Sequence, residues 1–397
     1  MKEICPINKC TGCEACSNIC AHSAIKMQPD SSGYKYPVID ESRCTDCGLC
    51  QKSCPSLTLN WRHYPIQNLA VTTKDEMDTL SCASGGAATL LSRSIIIQGG
   101  VVYGCDGNDI RNVHHTRIST LEEVELLKGS KYVQSAINNV YRHVREDLRS
   151  GIKVLFIGTP CQVAGLYGFL RYKVYDNLFT ADLVCHGVPS QQMLNDNIDL
   201  YTDVKDCECK VRFREKLRQV SNTKRNAIYR ITFGWFLQKQ PNVGEPLFRS
   251  YKKDPYMLGF ISGLTFRPNC YECRYASVAR VSDVTLSDYW GLADNAGFEK
   301  SKGVSNILVN TKQGQNLWYQ MKKDAIYKER PLMEAIRGNG QLLAPSSRHP
   351  EHDRFVMLYP SIGFKEAINE CSKSYLKKQK VKEMITALKS VVRKLVR

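Results

Sequence analysis

Two copies of one cysteine spacing constrain this sequence more than any other feature. Each copy reads C-x-x-C-x-x-C-x-x-x-C, and the second begins 34 residues after the first. The members are Cys10, Cys13, Cys16 and Cys20 in the first copy and Cys44, Cys47, Cys50 and Cys54 in the second. In proteins that hold two 4Fe-4S clusters on this run, the fourth cysteine of each copy ligates the other cluster. The spacing therefore predicts one cluster on Cys10, Cys13, Cys16 and Cys54, and its neighbour on Cys44, Cys47, Cys50 and Cys20.

The doubled run predicts a dicluster ferredoxin fold of the bacterial type over residues 1–60. Short strands are expected over residues 24–27 and 34–39, on either side of the Ser31-Ser32-Gly33 turn. A pair of zinc sites is the alternative, but zinc sites do not need a triple C-x-x-C-x-x-C run. A cluster held by four thiolates has no open position for a substrate, so we expect the chemistry to lie elsewhere in the chain.

Composition and charge narrow the class of protein further. The chain has 397 residues, 18 cysteines and a formal net charge of +16. No apolar run is long enough to span a bilayer, and the first residues contain no apolar signal core, so we expect a cytoplasmic protein. Cysteines in such a chain bind metal more often than they form disulfides. Because oxidised clusters carry net negative charge, the basic balance does not indicate a nucleic-acid partner.

Residues 61–150 and 151–365 are interpreted as the two parts of one mixed α/β region. The predicted elements are helices over 87–98, 136–148 and 160–170 and strands over 101–104 and 153–157. Small residues stand before these helices, where free backbone N–H groups can hold phosphate. Each such junction by itself also fits a structural helix cap. The fold class is therefore a dicluster ferredoxin followed by a mixed α/β domain.

Several motifs of this larger region occur in the order seen in one family. They are Ser84-Gly85-Gly86, Gly129-Ser130-Lys131-Tyr132-Val133-Gln134-Ser135, Gly158-Thr159-Pro160-Cys161-Gln162, Cys185-His186-Gly187-Val188-Pro189-Ser190, Phe266-Arg267-Pro268-Asn269-Cys270-Tyr271-Glu272-Cys273 and Ser282-Asp283-Val284-Thr285-Leu286-Ser287-Asp288-Tyr289-Trp290-Gly291. From about residue 70 to about residue 358, the chain resembles the coenzyme F-420 hydrogenase/dehydrogenase beta-subunit family. The resemblance implies an FAD-dependent oxidoreductase that carries iron–sulfur clusters. Ser287 replaces a glycine of the family pattern, and the usual Gly-Trp is missing after Phe213-Arg214-Glu215-Lys216, which leaves the substrate open.

The resemblance, together with the positions of the motifs at helix starts, indicates a flavin site. Its predicted residues are Ser84, Gly85, Gly86, Gly129, Ser130, Lys131, Tyr132, Gln134, Ser135 and Thr159. Backbone N–H groups and one lysine could meet a pyrophosphate or a reduced, anionic flavin there. His186 is the one histidine in a motif that could relay a proton near the flavin, although a structural role is the more common one for a lone histidine.

The resemblance also implies a third cluster close to the flavin. The candidate ligands are Cys161, Cys185, Cys270 and Cys273, since a C-x-x-C pair with two distant cysteines is a workable set of four thiolates. Two alternatives remain open for Cys161. Like Cys185, it could be a small buried residue. It could also be a thiol whose pKa is lowered at a helix start and which exchanges with a substrate disulfide.

Residues 377–397 form a predicted basic amphipathic helix within a C-terminal segment, 366–397. Its apolar stripe consists of Val381, Ile385, Leu388, Val392 and Leu395. Such a helix can contact an anionic membrane or a partner, but we expect the stripe to pack on the body of the protein.

Taken together, the sequence predicts an enzyme in which FAD couples two-electron chemistry to one-electron steps along the clusters. The alternative is an electron-transfer subunit that has no substrate of its own and docks on a larger redox complex. Its partners would be a redox protein or a small-molecule electron donor or acceptor. A zinc-bearing nucleic-acid binder would explain the charge but not the doubled run. The sequence does not indicate the substrate, the use of coenzyme F-420 or the direction of electron flow.

Overall fold

The fold begins with a small ferredoxin-like unit. The computed structural model describes residues 3–58, 61–202, 209–219, 228–239 and 246–395. Strands β1 (Ile25–Pro29) and β2 (Lys35–Ile39) form an antiparallel hairpin, and helices α1 (Ala15–Ile19) and α2 (Leu49–Lys52) flank it. The Asp30 carboxylate closes the turn because it accepts hydrogen bonds from the backbone N–H groups of Ser32 and Tyr34, both at 2.9 Å. The predicted hairpin is confirmed.

A larger domain follows, built on one mixed sheet. Its further strands are β3 (Gln67–Thr73), β4 (Val101–Asp106), β5 (His114–Ile118), β6 (Val154–Gly158), β7 (Leu178–Leu183), β8 (Cys209–Gln219), β9 (Ile228–Lys239), β10 (Leu247–Ser250), β11 (Val284–Asp288), β12 (Ser305–Val309) and β13 (Ala325–Glu329). Eight of them form one sheet in the order β13-β3-β12-β11-β7-β6-β4-β5. Strands β3, β11, β7, β6 and β4 run in the same direction, whereas β5, β12 and β13 run the opposite way. Strands from both sequence parts, 61–150 and 151–365, therefore share this sheet.

Helices cover both faces of the sheet. The further helices are α3 (Glu76–Ser81), α4 (Ala87–Ile97), α5 (Val124–Leu127), α6 (Val140–Arg149), α7 (Pro160–Phe169), α8 (Gln191–Asp199), α9 (Pro255–Ile261), α10 (Lys312–Met321), α11 (Leu332–Gly338), α12 (His352–Ile362) and α13 (Phe364–Leu395). One core cluster joins α4 and α10 to the sheet, and another joins α6, α7 and the ferredoxin residue Ala15. The ferredoxin unit thus packs on the face that α6 and α7 cover.

Local sequence explains where α7 begins. Pairing with a distant strand explains why α6 begins later than predicted. Thr159 caps α7 in a capping box with Gln162, and Pro160 occupies the first turn, as predicted. The helix predicted over 136–148 begins only at Val140. Ala136 pairs instead with the start of β5, since its N–H donates to the Val113 carbonyl and its own carbonyl accepts from the His115 N–H.

The C-terminal helix differs from the expectation for its apolar stripe. Phe364, Ala367 and Ile368 at its start are buried, but Val381 and Ile385 are 51% and 48% exposed. The prediction that the stripe packs on the body is therefore wrong for these two residues. The side chains of Leu388, Val392 and Leu395 lie outside the described part of the chain. No helix in the described ranges combines the length and apolarity that crossing a bilayer requires.

Candidate functional site

One edge of the large sheet gathers most of the predicted site residues. The parallel strands β3, β4, β6, β7 and β11 all end at this edge, where open α/β sheets usually bind their ligands. Thr159 and Cys161 follow β6, and Cys185 and His186 follow β7. The turn from Pro268 to Glu272 brings in Cys270, with Cys273 just after it. The topology therefore places chain segments that are distant in sequence beside one another.

The four candidate thiols of a third cluster line a single cavity at this edge. They are Cys161, Cys185, Cys270 and Cys273, here called the four-cysteine cavity. Burial raises the pKa of Cys161 to about 12 and that of Cys185 to about 11, and it raises the pKa of Cys270 and Cys273 as well. Buried neutral thiols facing one cavity are a donor set that suits a cubane, whose positive iron ions favour the thiolate forms.

These pKa shifts also bear on the reactive-thiol alternative for Cys161. The Thr159 hydroxyl lies 3.1 Å from its sulfur and lowers the pKa, but burial outweighs that contact. Burial therefore works against the alternative in which the helix start lowers the Cys161 pKa. A thiol whose pKa is about 12 is almost entirely protonated at neutral pH and is a poor nucleophile.

One of the two predicted ligand sets of the ferredoxin unit lies around a common cavity. Cys10, Cys13, Cys16 and Cys54 line one cavity, here called the inner site. Cys20, Cys44, Cys47 and Cys50, the predicted ligands of the second cluster, are here called the outer site. Burial raises the pKa of Cys50, and the nearby Cys47 and Cys20 raise it further. Three of the four inner cysteines are buried, whereas in the outer site only Cys50 is buried and Cys47 is exposed. Among the residues that the structure describes, no group of three or more His, Cys, Asp or Glu is arranged to hold a single metal ion.

Cys5 is a fifth thiol in the inner site that the spacing argument left unassigned. It lines the same cavity and hydrogen bonds with Cys10 and Cys54, which lowers their pKa values to about 6 and about 7. Its own pKa is raised by the same contacts. The only sequence signal is its position five residues before the first run.

The inner site lies against the large domain at very short range. An added Cβ on Gly165 of α7 would meet the Cys13 sulfur at 3.0 Å, and one on Gly168 would meet the Ser53 carbonyl oxygen at 2.2 Å. The Glu14 carboxylate accepts hydrogen bonds from two backbone N–H groups before α6, at 3.0 and 2.9 Å. Thr11 lines both the inner site and the four-cysteine cavity. The two cysteine cavities are therefore direct neighbours.

The predicted flavin residues separate into distinct groups. Gln134, Ser135 and Thr159 line the four-cysteine cavity. Ser84, Gly85 and Gly86 follow β3 instead, four strands away from β6, a separation of about 19 Å at the usual strand spacing. One pyrophosphate cannot touch both groups, so only an extended ligand could use them together.

The central motif of the predicted flavin site supplies mainly structural contacts. Gly129 has a left-handed φ of 83°, and Ser130 follows it. The Lys131 ammonium donates to the Lys128 and Leu126 carbonyls at 2.8 and 3.3 Å, at the end of α5. The Tyr132 ring stacks on Phe260 at 4.5 Å between ring centres. Lys131 is not among the residues that line the four-cysteine cavity.

Two basic residues near Ser84 did not enter the sequence prediction. The Lys216 ammonium donates to the Ser84 carbonyl at 2.6 Å, and burial lowers its pKa to about 8. Arg214 pairs with Asp288 at 2.5 Å and lies over the rings of Phe233 and Trp290. Both stand in β8, in the Phe213-Arg214-Glu215-Lys216 stretch that comes directly before the departure from the family pattern.

His186 lies at the mouth of the four-cysteine cavity. Its side chain is exposed, and its carbonyl accepts a hydrogen bond from the Ser346 hydroxyl at 2.6 Å. This bond holds the backbone, while surrounding atoms bury the imidazole enough to lower its pKa.

Comparisons with known proteins cover both the ferredoxin unit and the large domain. Residues 151–335 match the family that describes the C terminus of the coenzyme F420 hydrogenase/dehydrogenase beta subunit. Residues 9–57 and 36–100 match two families, each described as a 4Fe-4S dicluster domain. A chain from the F420-reducing NiFe hydrogenase complex of Methanosarcina barkeri is similar at 17% identity and a TM-score of 0.45, over 79% of this chain and 92% of that one. No curated protein matches the sequence.

Proposed function

Since the chain belongs to the coenzyme F420 hydrogenase beta-subunit-like family and has an N-terminal ferredoxin domain, we propose that it is a flavin-dependent oxidoreductase with three iron–sulfur centres. The chain is an iron–sulfur electron-transfer protein. The flavin and the third centre are the new elements of the proposal. The observation that carries it is that Thr11 lines both the inner site and the four-cysteine cavity, so the two sites adjoin.

The cysteines would hold the three centres in a row. Cys161, Cys185, Cys270 and Cys273 would ligate the first, the inner site the second and the outer site the third. Gly165 and Gly168 allow α7 to approach the inner site without a side chain between them. The exposed Cys47 puts the last site at the surface, where a redox partner protein can dock.

The sheet edge is the proposed flavin site. When bound, FAD would supply two-electron hydride chemistry and one-electron transfer. Thr159 lines the cavity at the start of α7, and Gly85 packs so closely on Val71 and Ser305 that no side chain would fit there. His186 at the cavity mouth would carry a proton between water and the site. An extended cofactor would reach from the β6 end to the Ser84 group.

Iron content tests the third centre in the intact chain. We expect about twelve irons and twelve acid-labile sulfides per chain after anaerobic preparation. Cys185→Ala should lower both counts to about eight while FAD content is retained. Cys105→Ala, a half-buried cysteine that does not line the cavity, is the matched control and should keep all twelve. A wild-type chain with about eight irons would remove the third centre from the proposal, and one with zinc and no sulfide would remove all three.

Two lysine variants test the flavin site. Both ammonium groups donate to two backbone carbonyls. Lys216→Met should weaken FAD retention more than Lys131→Met, because the Lys216 ammonium contacts Ser84 of the proposed flavin site, whereas the Lys131 ammonium contacts the end of α5. FAD retention after dialysis and the flavin reduction potential are the measurements. Weaker FAD retention in Lys131→Met alone would place the pyrophosphate beside α5 instead.

A further inference from the structure

Arg267 is a buried cation at the boundary between the ferredoxin unit and the large domain. Its relative exposure is 0%. Its Nε donates to the Cys10 carbonyl at 2.8 Å, its Nη2 to the Lys35 carbonyl at 3.1 Å, and its Nη1 to the Gln134 amide oxygen at 3.3 Å. The guanidinium also lies 4.2 Å from the centre of the Tyr36 ring. Every one of these partners is electrically neutral.

A second buried arginine shows what is missing around Arg267. Arg280 is 2% exposed and pairs with the buried Asp182 carboxylate at 3.0 Å. Within the described ranges, no carboxylate forms an ion pair with Arg267. Burying a charge without an opposite charge costs free energy that neutral hydrogen bonds offset only in part. The position of Arg267 therefore calls for an anion that is not a carboxylate.

The neighbours of Arg267 that can carry negative charge are cysteines. Arg267 donates to the backbone carbonyl of Cys10 in the inner site and to the amide oxygen of Gln134, which lines the four-cysteine cavity together with Cys161. A cubane held by four thiolates has a net negative charge, which grows by one on reduction. A fixed cation beside it stabilises the reduced form more than the oxidised form.

We propose that Arg267 is the counter-cation of the inner site and makes its iron–sulfur centre easier to reduce than that of the outer site. This inference rests on the proposed function, since it requires a cluster on Cys10 and its partners. Arg267 is a positioning residue and does not ligate iron. The Arg267 guanidinium also connects Cys10 with Gln134. Assembly of the inner site and docking of the ferredoxin unit therefore depend on the same side chain.

The outer site has an arginine that serves as a control. Arg142 donates to the carbonyls of Asn18 and Cys20, at 2.9 and 3.1 Å, and so also connects the large domain to a ferredoxin cysteine. It is only partly buried, and water screens its charge. Arg142 and Arg267 both donate to ferredoxin carbonyls, but only Arg267 is fully buried. Comparing their variants therefore separates the effect of a buried charge from the effect of docking the ferredoxin unit.

Potentiometric EPR titration of the full-length, cluster-loaded protein tests the proposal. Arg267→Gln should lower the reduction equilibrium constant of one ferredoxin centre at least tenfold, about 59 mV for one electron. Arg267→Lys should recover most of that loss. Arg142→Gln should change the reduction equilibrium constant of neither ferredoxin centre more than threefold. Gln134→Glu would place a carboxylate beside the guanidinium and should also lower the potential of that ferredoxin centre. This variant provides the test if Arg267→Gln does not fold.

Two results distinguish a failure of the proposed function from a failure of the inference about Arg267. Wild-type protein without any 4Fe-4S signal would contradict the proposed function itself. Intact signals whose potentials do not change in Arg267→Gln, or in Gln134→Glu if the first variant does not fold, would make Arg267 a purely structural donor and overturn the inference.

Discussion

The inner and outer sites come from two copies of one cysteine run, yet they lie in different surroundings. Cys10, Cys13 and Cys54 of the inner site are buried where α7 and Arg267 cover them. Cys47 of the outer site is exposed. The repeat fixes how many thiols each site has, whereas the large domain decides which site faces inwards. The two sites therefore differ in what they adjoin. The inner site lies next to the four-cysteine cavity, and the outer site lies at the surface.

The largest expected difference between the two sites concerns stability. Cys13→Ala and Cys47→Ala should each remove about four irons. Cys13→Ala should also lower the free energy of unfolding by at least about 2 kcal/mol more than Cys47→Ala, because it empties a buried position against α7. Iron analysis and thermal unfolding of both variants measure this. Equal unfolding free energies would mean that the inner site does not depend on the large domain.

A smaller effect is expected from crowding the boundary without touching a cysteine. Gly168→Ala would place a Cβ 2.2 Å from the Ser53 carbonyl oxygen, so the ferredoxin unit must shift, at about 1–3 kcal/mol. Gly340→Ala, where nothing lies within 4 Å of the added Cβ, is the control. Hydrogen exchange should rise in the ferredoxin segment of the first variant only. An unchanged exchange pattern in Gly168→Ala would contradict the close docking.

The smallest expected effect is the loss of one hydrogen bond across the boundary. The buried Tyr34 hydroxyl donates to the Thr265 carbonyl at 2.7 Å, and Tyr34→Phe should cost about 1 kcal/mol of unfolding free energy. Tyr64, which is 71% exposed, supplies the control Tyr64→Phe with no measurable loss. Denaturant titration of both variants is the measurement. A similar loss in both would show that the boundary bond does not stabilise the protein.

Sequence reasoning reached the parts of the molecule that depend on short-range spacing. The cysteine run predicts which thiols share a site, and Thr159 with Pro160 predicts where α7 begins, because neighbouring residues decide both. The start of α6 was missed because Ala136 pairs with β5, which no local pattern indicates. Arg267 was missed as well, since it reaches Cys10 across 257 residues of chain. Long-range pairing of this kind is set by the sheet topology and not by local propensity.

The order of the three centres is the central claim, and magnetic coupling between reduced clusters tests it most directly. EPR spectra of the fully reduced protein should show interacting spins. Cys270→Ala and Cys47→Ala each remove an end of the row, so a coupled pair should remain in both variants. Cys13→Ala removes the middle and should leave two centres whose spectra no longer interact. Persistent coupling in Cys13→Ala, with both remaining clusters present by iron analysis, would contradict the proposed order.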